Sequence, residues 1–547
     1  MRRPIIWHPY LFGLFPVLFL YAHNSDHIPS RVVILPLLVI LLVVWLSLLL
    51  ARAVLRDSRL AALLVSLLVL LSFSYGHVRA LLVDTHPANA LGTDKATVAL
   101  CALVFALGAY ALSRWRRNLA PATTMANWMA LLLVIMSSFD AGVASWKARN
   151  ALKTLQGVFD DTQQSASPIG GQRTPDIYYI VMDGYGREDV LRELYRHDNR
   201  GFLESLERQG FYVATGSRAN YMQTVLSLAS SLNLDYLDEV AARVGMDFTS
   251  RQPLQTILRS NRVMRFLKER GYEFVAFDAG YELTTVKGEV DYFLRPKNWL
   301  GQFAGALVNQ TAARLIWEAW SSSDADEANT TYDAHRDRVL YTLDKLGAIA
   351  VGDAPKFVFA HVLAPHPPFV LGPNGEPVQP DRPFRIFDGN NFLRQDGATR
   401  DEYIEGYRNE VTFLNKKLQM AIEQILTRSD GNVIIILQGD HGPRLTLNWD
   451  YFDESNCAGC YGILNAYYLP APEETWLYPE ISPVNSFRVV LNRYFGTEYP
   501  LLPDYSYLST WKRPYELLRV TTDREAAPGL RSVASTSGAT GAAQLSQ

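Results

Sequence analysis

Val433-Ile434-Ile435-Ile436-Leu437-Gln438-Gly439-Asp440-His441-Gly442-Pro443-Arg444 is the stretch that decides the fold. Five consecutive apolar, mostly β-branched residues bounded by glycine predict a strand buried on both faces, as in a parallel sheet. Ligands of such sheets bind beyond the carboxyl ends of the strands, where Asp440 and His441 fall. A second run, Ile177-Tyr178-Tyr179-Ile180-Val181-Met182, ends in the same way on Asp183-Gly184. Two buried strands that bring two carboxylates and an imidazole to one sheet edge predict a divalent-metal site.

Outward from these strands, the chain of 547 residues is too long for one domain, and at 48% apolar it is too apolar for an ordinary soluble protein. The excess lies before residue 146, in five runs near Ile5–Tyr21, Val32–Leu50, Leu60–Tyr75, Thr97–Leu112 and Trp128–Ala144, each read as a membrane-crossing helix. Arg2, Arg3, Arg52, Arg56, Arg59, Arg114, Arg116 and Arg117 fall on one side of this ladder, against Arg31, Arg79 and Lys95 on the other. The positive-inside tendency makes the first side cytoplasmic, and five crossings then put everything after Trp146 outside the cytoplasm. No small-x-small cleavage site follows the first run, so it is not read as a removable signal peptide.

A formal net charge of −3 argues against a nucleic-acid partner. Three cysteines are too few for a disulfide scaffold. Cys101 lies in a membrane run. Cys457 and Cys460 form a Cys-x-x-Cys in loop-like sequence, read as a local structural disulfide rather than a redox pair.

These boundaries divide the chain into a membrane domain (1–146), a linker (147–175), an external α/β domain (176–520) and a disordered, Ser/Ala/Gly-rich tail (521–547). In the external domain short apolar strands alternate with helical patterns. The strands are Ile177–Met182, Glu273–Phe277, Phe357–Leu363, Val433–Leu437 and Ala466–Leu469. The helices are Glu188–Gln209, Val263–Arg270, Glu402–Leu426 and Val484–Phe495. Such alternation predicts a mainly parallel central sheet.

Four segments carry polar residues where a buried sheet has no use for them. Asp183-Gly184 also reads as a simple turn, and Asp440-His441 as a turn with a capping carboxylate; together they form a ligand set suited to Mn²⁺, Mg²⁺ or Zn²⁺. In His361-Val362-Leu363-Ala364-Pro365-His366-Pro367-Pro368-Phe369, His366 sits in a Pro-fixed turn, able to touch an anionic oxygen or protonate a leaving group, while His361 is a candidate substrate contact or a strand-interior residue. Thr224 opens a short apolar helix as its N-cap, where backbone N–H groups favour an anion; beside a metal its hydroxyl is a competent nucleophile on phosphorus. Ser217 and Ser227 are rival hydroxyls.

The order Asp183-Gly184, Thr224, His361-x4-His366-x-Pro and Gly439-Asp440-His441-Gly442 resembles the alkaline phosphatase superfamily. More narrowly it resembles the membrane-anchored sulfatase-like transferases: lipoteichoic acid synthases, phosphoglycerol transferases and phosphoethanolamine transferases. The resemblance implies five membrane helices and one external α/β domain of alkaline phosphatase/sulfatase-like fold. It also implies Asp183, Thr224, Asp440 and His441 as metal ligands, with Thr224 the nucleophile and His366 on the transferred group. Three features depart from relatives. No Cys/Ser-x-Pro-x-Arg segment of true sulfatases is present, and lipoteichoic acid synthases have Glu in place of Asp183 and a further histidine where this chain has Phe277-Asp278-Ala279-Gly280-Tyr281.

The function expected from this reading is metal-dependent phosphotransfer at the outer face of the cytoplasmic membrane. One divalent ion, a second not being excluded, would activate Thr224 against a membrane phospholipid donor. An envelope glycan or lipid would accept the phosphoglycerol- or phosphoethanolamine-type group, with His366, His361 and Arg444 as substrate contacts. Ester hydrolysis at the same site and a non-catalytic membrane scaffold are the alternatives.

Overall fold

The structure is a computed structural model that describes residues 5–25, 30–85, 90–159, 174–296, 302–315, 332–349, 354–380, 382, 384–394, 397–449, 457–470 and 476–520. The tail expected after residue 521 and most of the polar end of the linker lie outside these residues.

Five helices open the chain: α1 (His8–Asn24), α2 (Ile34–Leu55), α3 (Ser58–Thr85), α4 (Ala90–Arg114) and α5 (Ala120–Thr154). Among the described residues, four stretches, Ser30–Leu55, Ser58–Arg79, Asp94–Arg114 and Ala120–Thr154, are long and apolar enough to cross a bilayer, against the five spans expected. The difference is α1, whose 17 residues include Pro16. At 1.5 Å per residue it rises about 26 Å, short of a hydrocarbon core of roughly 30 Å. Along α2, Leu35, Leu38, Leu42, Leu46 and Leu49 are all exposed. A leucine stripe at three- and four-residue spacing is tolerable only against lipid, so the chain is a membrane protein.

α5 runs on through Thr154, past the end of the apolar pattern, and ties the bundle to the α/β domain. Arg243 Nη1 donates to the carbonyls of Thr154 (3.1 Å) and Gln156 (3.3 Å). Leu155 and Phe159 are buried with Tyr221, Val225 and Leu254. Gln252 Nε2 donates to the Ser25 carbonyl at the end of α1 (2.5 Å).

The α/β domain is built on a sheet of seven strands among the described residues: β1 (Asp176–Met182), β2 (Tyr212–Val213), β3 (Glu273–Phe277), β4 (Tyr292–Leu294), β5 (Lys356–Val362), β6 (Val433–Gly439) and β7 (Asn465–Tyr468), in the order β2-β7-β6-β1-β5-β3-β4. Strands β6, β1, β5, β3 and β4 are mutually parallel, while β7 runs antiparallel to both β6 and β2. Side chains alternate between two cores. On β1, Tyr178, Ile180 and Met182 join one cluster with Leu414, Leu418 and Ile422 of the helix Arg400–Ser429. Ile177, Tyr179 and Val181 join another with Leu228, Leu232, Phe487 and Val490. The continuous apolar strands of the sequence exist because both faces are covered.

Two helical readings changed in detail. The segment Glu188–Gln209 is split into α6 (Glu188–Tyr195) and α7 (Arg200–Arg208), since Arg196 takes a left-handed conformation (φ +52°) that ends α6. The long helix begins at Arg400 because Thr399 and Glu402 form a reciprocal capping box ahead of it.

Candidate functional site

Register brings the site together. Met182 pairs with Gly439 on one side and with Val362 on the other. Asp183 and Asp440 therefore leave adjacent strands at one level, with the His361–His366 segment beside them. Opposite stands the N-terminus of α8 (Thr224–Asn233), a wholly buried helix. Ser227, one turn in, donates to the Asp440 carbonyl (2.7 Å) and fixes helix to loop.

The geometry centres on His441, fully buried. Its Nδ1 donates to the Gly442 carbonyl (2.9 Å), so Nε2 of the neutral ring carries a lone pair. Around Nε2 lie Asp183 Oδ1 at 3.1 Å, Thr224 Oγ1 at 3.2 Å and Asp440 Oδ2 at 3.3 Å. Asp183 Oδ1 and Asp440 Oδ2 are buried and receive no hydrogen bond. Two buried carboxylate oxygens without a hydrogen-bond donor, beside an Nε2 that accepts from Arg444 Nη2, call for a further cation among them. Among the described residues, Asp183, Asp440 and His441 are also the group whose ligand atoms lie close enough to hold one metal ion, within 4.8 Å of one another. Three oxygens and one imidazole nitrogen, counting Thr224, suit Mn²⁺, Mg²⁺ or Zn²⁺.

The other carboxylate oxygens are engaged. Asp440 Oδ1 accepts from Gly184 N–H (3.0 Å), where Gly184 has φ +74°. Asp183 Oδ2 accepts from His361 Nε2 (3.2 Å), leaving His361 Nδ1 for the Thr284 hydroxyl (3.0 Å). His361 thus stands behind Asp183, inside β5, as an orienting group rather than on the open side of the site. Burial alone would raise the Asp183 pKa, but the neighbouring His366, His361 and His441 outweigh it and hold it well below the usual range.

Arg444 is buried, with Nε on Asp388 Oδ2 (3.0 Å), Nη1 on the Met222 carbonyl (3.2 Å) and Nη2 on His441 Nε2 (2.5 Å). His366 Nδ1 donates to the Pro367 carbonyl (2.5 Å), and its Nε2 lies 3.6 Å from Asp388 Oδ2. Asp388 was not singled out from sequence. It sits in Phe387-Asp388-Gly389, a turn-like stretch with no strand before it to mark it, yet it also accepts from Tyr403 Oη (2.6 Å) and anchors both Arg444 and the His366 neighbourhood.

The expected Cys457–Cys460 disulfide is absent: both are free, buried thiols, Cys457 at the N-cap of the short helix Ala458–Tyr461 and Cys460 within it, hydrogen-bonded to one another. They pack with Met222, Leu447, Trp449 and Tyr461 in an apolar cluster that stabilises them without a bond. The helix backs the ligand loop, since Gly442 N donates to the Cys460 carbonyl (2.7 Å).

With this geometry in place, comparison with known proteins is direct. The sulfatase family model matches residues 175–471, more than half of the chain, and the chain belongs to the sulfatase family. No curated protein matches it. It is similar to the C-terminal periplasmic domain of EcEptC from Escherichia coli (12% identity, 66% of this chain and 96% of that one, TM-score 0.40). It is also similar to the integral membrane protein lipooligosaccharide phosphoethanolamine transferase A from Neisseria meningitidis (11% identity, 88% and 94% covered, TM-score 0.36). A third is the phosphonate monoester hydrolase of Agrobacterium radiobacter (14% identity, 61% and 79% covered, TM-score 0.37).

Proposed function

We propose that this protein is a metal-dependent phosphotransferase that moves a phospholipid-derived phospho-group, through Thr224, to an envelope glycan or lipid at the outer face of the inner membrane. The observation that carries this is the pair of donor-free carboxylate oxygens, Asp183 Oδ1 and Asp440 Oδ2, converging with Thr224 Oγ1 around His441 Nε2. Asp183, Thr224, Asp440 and His441 would hold the ion. A bound divalent ion supplies Lewis acidity at the threonine hydroxyl and neutralises phosphate charge.

Thr224 begins α8, so unpaired backbone N–H groups and the positive helix end favour a phosphate oxygen beside it. Arg444, fixed by Asp388, adds a guanidinium of set orientation. Thr224 Oγ1 forms a bond to phosphorus as the phosphorus–oxygen bond to the diacylglycerol breaks. The threonine proton passes to a base, for which the open Nε2 of His366 is the group at hand, and from there to the departing oxygen. An acceptor hydroxyl then displaces Thr224, which regains its proton, and the new ester bond replaces the old. His361 and Thr284 orient Asp183 throughout.

The test is mass spectrometry of the full-length protein after incubation with labelled phospholipids. A phospho-group adduct on the Thr224 peptide is expected, absent in Thr224→Ala. An unmodified wild-type peptide, or full activity of Thr224→Ala, would sink the assignment. Release of the group to water alone would favour ester hydrolysis at the same site.

A further inference from the structure

Two large side chains on the surface of the α/β domain stand in water without a role in the chemistry above. Met246 is 61% exposed and Trp511 is 38% exposed. Met246 follows α9 (Asp238–Val244). Trp511 lies in the loop between β8 (Ser506–Leu508) and β9 (Leu518–Val520), next to exposed Lys512 and Arg513. Though far apart in sequence, the two tips are fastened together. Arg513 pairs with Asp247 and with Glu516 (3.0 Å), and Tyr515 Oη donates to the Ser250 carbonyl (2.8 Å).

The helical bundle gives the depth of this patch. The Tyr21 and Ser145 hydroxyls are hydrogen-bonded (3.3 Å), so α1 and α5 are level there. The apolar run of α5 ends at this level, and the adjoining Trp146 is 64% exposed, as suits a tryptophan at the membrane–water boundary. Ser25, the C-cap of α1, lies about 6 Å of helix rise beyond Tyr21. The head-group layer of a bilayer is roughly 5–8 Å thick. Since Gln252 Nε2 reaches the Ser25 carbonyl, α10 (Gln252–Arg259) begins at the depth of that layer. Arg251, the residue before α10, has its guanidinium 3.9 Å from the centre of the Trp511 ring, which brings the tryptophan to the same layer. These contacts also lead to the site. Arg251 is 2% exposed, and its Nε and Nη2 donate to Gln223 Oε1 (3.1 and 2.8 Å), Nη2 also to the Trp511 carbonyl (2.5 Å). Gln223 is the N-cap of α8, with its Nε2 on the Ser509 hydroxyl (2.9 Å) and the Thr510 carbonyl (2.9 Å) of the same loop. One buried arginine thus ties the exposed tryptophan to the residue before Thr224.

We propose that Met246 and Trp511 form a lipid-docking surface that seats the α/β domain in the head-group layer of the bilayer its own helices cross. The lipid surface is the occupant because the patch adjoins the end of the bundle, at a depth where water gives way to glycerol and ester groups. A tryptophan fits that boundary, with an apolar ring and one polar N–H. Lys512 beside it adds attraction to anionic head groups. Arg513 is held by Asp247 and Glu516, and so fixes the shape of the patch instead of adding free charge. Through Arg251 and Gln223, docking also holds the start of α8 near the level of the lipid phosphates. The surface goes beyond the transferase reading and stands independently of which group the site transfers.

The test is tryptophan fluorescence of the full-length protein in nanodiscs of phosphatidylcholine and phosphatidylglycerol, with and without a nitroxide on the choline head group. The chain has 11 tryptophans, so the Trp511 signal is the difference between wild type and Trp511→Phe, which keeps a ring over Arg251. The head-group nitroxide is expected to lower that difference by about half, whereas acrylamide in the water should change it little. Met246→Trp places a new emitter on the neighbouring tip, and its added signal should be quenched in the same way. A Trp511 signal untouched by the nitroxide and open to acrylamide overturns the proposal, as does one shielded from both, which would mark a protein-covered surface. Should Trp511→Phe fail to fold, the Met246→Trp signal decides by the same criteria. No turnover is needed, so an inactive protein tests the surface equally well, and failure of the transferase reading leaves the result intact.

Discussion

Glu410 offers the sharpest quantitative prediction. It lies fully buried on the helix Arg400–Ser429, and its Oε1 accepts the backbone N–H groups of Val370 (2.5 Å) and Leu371 (3.2 Å). Those residues close the loop that carries His366, so Glu410 holds that loop in place. Burial pushes its pKa from 4.5 up to about 8, although the two N–H groups favour the charged form. The folded protein therefore keeps a proton between pH 4.5 and 8 that the unfolded chain has released. Stability from this group is complete below pH 4.5 and is lost as pH rises towards 8. At roughly 1.4 kcal/mol per pKa unit, the full swing is about 5 kcal/mol. In Glu410→Gln the amide oxygen still accepts both N–H groups but nothing titrates. Thermal unfolding of the full-length protein in detergent should show wild type and variant nearly equal at pH 5. By pH 8.5 the wild type should lag, by a gap on the order of 10 °C. The difference between the two curves isolates Glu410 from every other titrating group. Parallel curves from pH 5 to 8.5 would refute the reasoning.

Further expectations follow from the same site. Burial and Arg444 push His441 down, but Asp440 and Asp183 more than offset them and hold its pKa above the usual value. Since the metal must displace that proton, Mn²⁺ affinity by titration should fall as pH drops through this raised value, and an affinity flat from pH 8 to 5.5 would contradict the ligand role. Removing the divalent ion with a chelator should lower the melting temperature and abolish the Thr224 adduct, both restored by adding it back. Gly442→Ala drives a methyl into the Gly459 carbonyl and should cost about 1–3 kcal/mol in stability while displacing His441, read as weaker metal binding; wild-type affinity would show that the loop yields freely. Asp388→Asn frees Arg444 and should reduce turnover more than donor affinity, whereas equal effects on both would assign Arg444 to binding alone.

Much of this was legible along the chain, for identifiable reasons. β1 and β6 are buried on both faces, so their apolar runs carry a signal that needs no partner to be read. Asp183 and Asp440-His441 follow immediately, and the ends of parallel strands are where ligands bind. Residues whose meaning depends on a distant segment were harder. Asp388 looks like any Asp-Gly turn until Arg444 arrives from 56 residues away. Glu410 looks like one more charge on an amphipathic helix until the Val370 loop closes over it. His361 and His366 are close in sequence but face different ways, since one ends inside β5 and the other beyond it. The Cys-x-x-Cys spacing fits a disulfide as well as a pair of packed thiols, and only the surrounding apolar cluster separates the two.

The sequence by itself determined the division into an apolar helical part and an α/β part, the parallel strands and the ligand types at their ends, because burial on both faces and long apolar runs are local properties of composition. Tertiary structure decided what those ligands do. Pairing of Met182 with Gly439 set Asp183 level with Asp440, and α8 brought Thr224 within 3.2 Å of His441. Those contacts join residues more than 200 positions apart, so no local pattern encodes them. The orphaned oxygens that call for a cation exist only once the strands are in register.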